Sequence, residues 1–166
     1  MYRNASISPT GTYRWWLLRE WDIEGARICW IMLNPSTADA EVDDPTIRRC
    51  IKFSQRWGFG SLVVVNLFPI RSSTTEVAKI FSQSSVLKVK ARNDREVLKM
   101  ARESRKVVCA WGAAPWAQEV GEWYVDILLT EGINTYCLRE TQRGCPTHPL
   151  ARGEHRIPDD VQLVPF

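Results

Sequence analysis

Close cysteine pairs, long apolar runs and a strong net charge are all missing from this chain, and histidine is scarce. The five cysteines (Cys29, Cys50, Cys109, Cys137 and Cys145) are scattered, with none of the short spacings of a zinc site or a dithiol redox motif. Three of them fall inside expected strands, where cysteine behaves as a small buried hydrophobe. A reducing, cytoplasmic setting is therefore expected. No stretch approaches the roughly 20 apolar residues of a membrane span, and Met1-Tyr2-Arg3-Asn4 lacks the apolar centre of a signal peptide. No membrane partner is expected. A net charge of +3 is too small to identify a nucleic-acid binder, although it permits a local basic patch.

What remains is an ordinary globular composition, 45% apolar and 25% charged, in 166 residues. One domain over residues 1–166 is the simplest organisation. A chain of this length buries roughly 70% of its unfolded surface, enough to fold without a metal or disulfide. Of the eight tryptophans, most are expected to fill the core, since aromatics dominate burial energetics. Trp15, Trp16 and Trp21 near the N-terminus are the alternative candidates for an aromatic wall.

Apolar runs at 28–33 and 61–67 predict strands buried on both faces, as in a parallel sheet. Shorter runs at 106–111 and 134–138 predict two more, and 13–19 predicts an extended edge segment. Asp44 followed by Pro45 predicts a helix start, with the carboxylate as N-cap and proline at the first helical position. Gly58 ends that helix. Further helices are predicted over 92–104 and 115–130, the latter the longest, with at most one short helix in the 68–85 loop. Alternating strands and helices argue for a three-layer αβα fold: a central, mostly parallel four-stranded sheet plus an N-terminal edge strand or hairpin.

Ligand sites in such folds gather outside the carboxyl ends of the strands. The predicted first parallel strand runs into Leu33-Asn34-Pro35-Ser36, and the second ends in Asn66. A polar side chain at a buried strand end needs a partner, and an amide, with one acceptor and two donors, suits the edge of a nucleobase. Trp111-Gly112 follows the third strand. His148 lies in a turn-rich loop after the fourth, whereas His155 sits in a charged tail and reads as solvent-exposed. Asp39, Glu41, Asp43 and Asp44 form an acidic cluster; helix capping already accounts for Asp44, and hard-cation sites need more convergent oxygens. No metal or cofactor is expected. Arg48, Arg49 and Lys52, with Arg56 and with Arg71 beyond the second strand, form a basic stripe able to follow a phosphate backbone.

Met32-Leu33-Asn34-Pro35-Ser36-Thr37-Ala38-Asp39, Asp43-Asp44-Pro45-Thr46 with Arg48-Arg49-Cys50, Val64-Val65-Asn66-Leu67-Phe68, Ala110-Trp111-Gly112 and His148-Pro149-Leu150, taken in order, cover nearly the whole chain. Together they resemble the bacterial and phage family catalogued as domain of unknown function 1643. The chain order is also similar, more distantly, to the uracil-DNA glycosylase superfamily. In that superfamily the first strand ends in a water-positioning motif, the second in a base-reading Asn, the third near a Gly, and a late His-Pro loop assists the departing base. Asn34-Pro35, Asn66, Gly112 and His148-Pro149 stand at the matching positions. The chain departs from that pattern in having an amide at Asn34 where the fast uracil enzymes carry an acid, and Leu150-Ala151-Arg152 after the His-Pro pair.

The resemblance implies a uracil-DNA glycosylase-like fold acting on an ordinary or modified base in nucleic acid or a nucleotide. Asn66 would read the base, with Phe68 or Trp111 stacking on it. Asn34 would position water, Pro35, Ser36 and Gly112 would border the bound base, and His148 would stabilise the leaving base. Since an amide is no general base at pH 7, either Asp39, Asp43 or Asp44 reaches that water, or turnover is slow, or the domain only binds. Two rivals stand beside this reading. One is a non-catalytic nucleotide or nucleic-acid binding module that needs Asn66 and the basic stripe but not His148. The other is a metal-dependent phosphoesterase built on the acidic cluster.

Overall fold

The computed structural model describes residues 1–166. Seven strands, β1 (Tyr2–Ile7), β2 (Arg14–Glu20), β3 (Arg27–Met32), β4 (Ser61–Asn66), β5 (Lys106–Cys109), β6 (Thr135–Cys137) and β7 (Val164–Pro165), form one sheet in the order β1-β2-β4-β3-β5-β6-β7. The helices are α1 (Pro45–Arg56), α2 (Thr75–Ser82), α3 (Leu87–Arg102) and α4 (Gln118–Thr130). The fold is mixed α/β, with seven strands in one sheet where a four-stranded core plus an N-terminal edge strand or hairpin was expected. Strand β3 pairs in parallel with β4 and β5, and β5 with β6. Antiparallel strands extend the sheet at both ends, through β2 and β1 on one side and β7 on the other.

The unbroken apolar runs of β3 and β4 arise because successive side chains serve two different cores. Cys29, Ile31, Val63 and Val65 point to the face covered by α2, α3 and α4, through Phe81, Val97, Met100, Tyr124 and Leu128. Ile28, Trp30, Leu62 and Val64 point to the opposite face, closed by Ile47, Cys50 and Phe53 of α1 and by Ile157 and Val161 near the C-terminus. There Trp30 stacks on Trp57, with ring centroids 5.8 Å apart, and donates its indole N–H to the Ser54 hydroxyl. All five cysteines are buried and free. Burial pushes the Cys29, Cys50 and Cys109 thiols above their usual range, so they act as packing groups, not nucleophiles. No helix is long and apolar enough to cross a membrane.

Three expectations are corrected. The 13–19 segment is not an edge: β2 lies between β1 and β4, and β1 is the outer strand. Edge strand β1 is partly exposed along its whole length, so it carries little of the burial pattern that betrays a strand. The longest helix is α3, at 16 residues, and it begins at Leu87 rather than Arg92. Its first turns are largely exposed, which removes the periodic signal there. The 115–130 segment divides into a tight 3₁₀ turn, Pro115–Ala117, and α4 of 13 residues. The predicted start of α1 is as observed: the Asp44 carboxylate accepts from the Ile47 N–H at 2.9 Å, with proline next in the chain.

Candidate functional site

The register of the parallel strands brings their carboxyl ends level. Met32 pairs with Asn66, and Ile31 with Cys109. Above that rim lies a cleft of about 450 Å³, and among its lining residues are Asn34, Ser36, Asp44, Asn66, Trp111, Gly112 and His148. Residues from five separate stretches of chain therefore meet at one hollow. Arg14 and Trp116 line it as well, and neither was marked by the sequence.

Each polar side chain is held by the scaffold at one end and free at the other. Asn34 donates both amide hydrogens, to the carbonyl oxygens of Pro35 (3.2 Å) and Ser72 (3.1 Å). Its Oδ1 has no partner in the chain, so Asn34 meets the cleft as an acceptor. Pro35 is buried and outside the cleft wall; its carbonyl ties this turn to Ser72, whose N–H it accepts at 2.9 Å. Asn66 is 1% exposed, and its Oδ1 accepts from Arg14 Nη2 at 3.3 Å. Its Nδ2 has no partner in the chain and remains a donor. Asp44 is the one carboxylate in the cleft wall. Its Oδ1 caps α1, and its second oxygen is unpaired.

His148 is fixed by its backbone neighbours. Its Nδ1 accepts from the Leu150 N–H at 3.0 Å, which places the ring proton on Nε2. Burial holds its pKa below the ordinary imidazole value, against the opposing pull of Asp44. At pH 7 it is a neutral ring offering one N–H donor. The preceding Thr147 anchors the loop, its N–H and hydroxyl both donating to the Arg139 carbonyl. Gly112 permits this arrangement: its φ is +83°, and a Cβ there would lie 3.3 Å from His148 Cβ.

Arg14 is 2% exposed, yet its partners are neutral: the Ala38 carbonyl at 2.9 Å and the Asn66 amide oxygen. Its Nε is buried without a hydrogen bond. Burial lowers its pKa to about 10, with Asp44 acting in the opposite direction. The guanidinium therefore stays charged at pH 7. Its position follows from topology: β2 runs antiparallel to β4, so the first residue of β2 reaches the rim where β4 ends.

Of the two expected aromatic platforms, Trp111 lines the cleft and Phe68 does not. Trp111 reaches the cleft wall, but its indole is committed to the core, donating to Gln118 Oε1 and meeting Phe166 edge-on. Gly121 of α4 leaves room for that ring, since a Cβ there would fall 2.4 Å from it. Phe68 is buried beneath Trp116, the rings stacked with centroids 5.6 Å apart, and it lines a separate cavity with Asn93 and Trp123. Trp116 also lines the cleft. Its signal in the sequence was position alone, shortly after the Gly112 turn.

The basic stripe does not line the cleft either. Arg48 donates to the Asp43 carbonyl. Arg49 pairs with Asp159, donates to the Ile157 carbonyl and lies over the Phe53 ring. Lys52 borders an outer hollow with Arg56. Arg71 donates to the carbonyls of Gly11 and Thr37. Among the acids, Asp39 caps its own turn through the N–H groups of Glu41 and Val42, which hold its pKa below the usual range. Asp43 is paired with Arg19 and Arg3. Of the three acids proposed to reach a water, Asp44 alone lies at the cleft.

Fold and cleft define an α/β protein with a polar, ligand-sized site at the carboxyl ends of its parallel strands. The family described as protein of unknown function (DUF1643) matches residues 14–150, and this chain belongs to it. The matched stretch runs from Arg14 to just past His148, so it contains every cleft residue named above. No curated protein and no solved structure matches the chain.

Proposed function

We propose that the cleft recognises a nucleobase, ordinary or modified, in nucleic acid or a nucleotide, and that the protein is a DNA-glycosylase-like N-glycosyl hydrolase. On this reading its sheet is a distant relative of the uracil-DNA glycosylase fold. The observation that carries the proposal is the set of unspent hydrogen-bonding groups around one hollow: acceptors at Asn34 Oδ1 and the free oxygen of Asp44, donors at Asn66 Nδ2 and His148 Nε2. A base in nucleic acid reaches such a pocket by leaving the stack or by being single-stranded. Trp116 offers it a ring to stack on.

Hydrolysis forms a bond from water oxygen to the anomeric carbon and breaks the bond from that carbon to the base nitrogen. The bonding pair leaves with the base. Asn34 Oδ1 orients the water, and Asp44 takes its proton, a role worth about 10²–10⁴ in rate. The neutral His148 donates to the negative charge developing on the base. A preorganised donor of this kind supplies about 3–4 kcal/mol.

The test is incubation with labelled oligonucleotides carrying a panel of altered bases, scored for free base and abasic sites. Release is expected from the wild type and is lost in His148→Ala and in Asn34→Ala; unchanged release in both variants excludes this site. The binding-only alternative draws on the structural duty of Asp44 as helix cap. It predicts retention of base-bearing strands with no release, and insensitivity to His148→Ala.

A further inference from the structure

Arg14 is the charged side chain buried in the cleft wall, and the hydrolytic scheme makes no use of it. Its chemistry nevertheless constrains the site. A guanidinium carries five N–H donors and no acceptor. The two ends of an asparagine amide are nearly the same shape, so packing alone leaves the orientation of Asn66 open. With Arg14 Nη2 at 3.3 Å, only one orientation avoids setting donor against donor: oxygen toward the arginine, nitrogen toward the cleft. Both groups are pinned from behind. Arg14 is held by the Ala38 carbonyl at 2.9 Å. The backbone at Asn66 is held by Asn93, whose Nδ2 donates to the carbonyls of Asn66 and Leu67 at 2.9 and 3.1 Å.

Asn66 therefore presents N–H to a ligand, and so does His148, whose Nδ1 is occupied by the Leu150 N–H. A ring edge bearing an oxo oxygen opposite Asn66 is satisfied. An amino group at that place meets donor with donor, leaving buried polar groups unpaired on both sides. We propose that Arg14 is a positioning residue that locks the Asn66 amide and makes the cleft select nucleobases with an oxo group at that edge over their amino counterparts. The inference rests on the nucleobase reading above and narrows it from bases in general to oxo bases.

The experiment uses strands of stable abasic-sugar analogue carrying a single base on a sugar whose glycosidic bond resists hydrolysis, compared with the base-free strand at one salt concentration, because phosphate contacts alone give binding that varies with salt. Two matched pairs serve as probes, uracil with cytosine and hypoxanthine with adenine. Wild-type protein is expected to hold the oxo member of each pair about tenfold or more tighter. Arg14→Met is expected to bring the ratio close to one, whereas Arg14→Lys, still donor-only, preserves the preference. An independent readout in the wild type is the pair of Asn66 side-chain amide proton resonances, assigned through Asn66→Ser. They shift on adding an oxo-bearing strand and not its amino partner, which decides the matter even if Arg14→Met fails to fold. If no base improves on the base-free strand, the nucleobase reading falls and this inference with it. Equal or amino-favouring binding overturns the inference and leaves the nucleobase reading standing. An oxo preference that persists in folded Arg14→Met removes Arg14 from the explanation.

Discussion

Two arginines on β2 are both buried, yet their surroundings differ in kind. Arg19, with no exposed surface, donates through Nε to the Asp43 carboxylate at 2.7 Å and through Nη2 to the Asp39 carbonyl at 2.6 Å. Arg14 grips the same loop at Ala38 but has only neutral oxygens as partners, and it borders the cleft. A buried charge with its counter-ion and carbonyls in place is a rivet for the loop that leads into α1. A buried charge left to an amide and a carbonyl shapes what a neighbouring group can offer a ligand. The same division separates the acids: Asp39 and Asp43 are consumed by structure, and Asp44 keeps one oxygen for the cleft.

The largest expected effect tests the rivet. Arg19→Met leaves Asp43 with Arg3 alone and removes the donor to the Asp39 carbonyl, and should cost about 3 kcal/mol in denaturant unfolding, the lower end for a broken buried pair. Arg14→Met, which removes a charge lacking a carboxylate partner, should cost less than half as much. Equal losses would erase the distinction between the two arginines. Next comes His148→Ala, expected to slow base release about 10²–10³-fold while the unfolding midpoint moves little. A large fall in stability with release intact would return His148 to the scaffold.

Asp44 lies on the boundary and can be split into its two duties. Asp44→Asn keeps a good helix cap and removes the proton acceptor, so stability should hold while release is lost. Asp44→Ala should lose release and also about 1 kcal/mol of stability. Identical stability in the two variants would show that the cap contributes nothing measurable.

The smallest effect is a pH dependence at His148. Its folded-state pKa lies below the ordinary imidazole value, so on acidification the unfolded chain takes up the proton first. The contribution of this group to stability is therefore full above the ordinary value and declines as pH falls through it toward the folded value. Thermal melts of wild type and His148→Gln should converge in that direction between about pH 7.5 and about pH 5.5, if the neutral ring is the native form. Divergence toward acid would mean that the folded state favours the imidazolium.

Strands β3 and β4 were legible because burial on both faces demands continuous apolar side chains, and α1 because Asp44-Pro45 is a helix start with a definite mechanism. The gathering of Asn34, Asn66, Gly112 and His148 at one rim was expected from the strand order. Arg14 and Trp116 were not found. Arg14 stands beside tryptophans in a segment read as an edge, and nothing local says that its side chain reaches an amide 52 positions onward. Trp116 was read into the first turn of a long helix because the short 3₁₀ turn that presents it leaves no periodic trace. Strand β1 was foreseen only through the hairpin alternative at the N-terminus, and β7 not at all, because sheet edges need neither burial nor length.

Local chemistry, written along the chain, was sufficient to specify the buried strands, the helix start at Asp44 and the polar groups at the strand ends, because each depends on neighbours within a few residues. Which of those groups remain unpaired, which acid stays free and which way the Asn66 amide faces were settled only by packing. An antiparallel β2 carries Arg14 to the rim and Arg19 to a carboxylate, and hydrogen bonds between distant segments decide what is left over for a ligand.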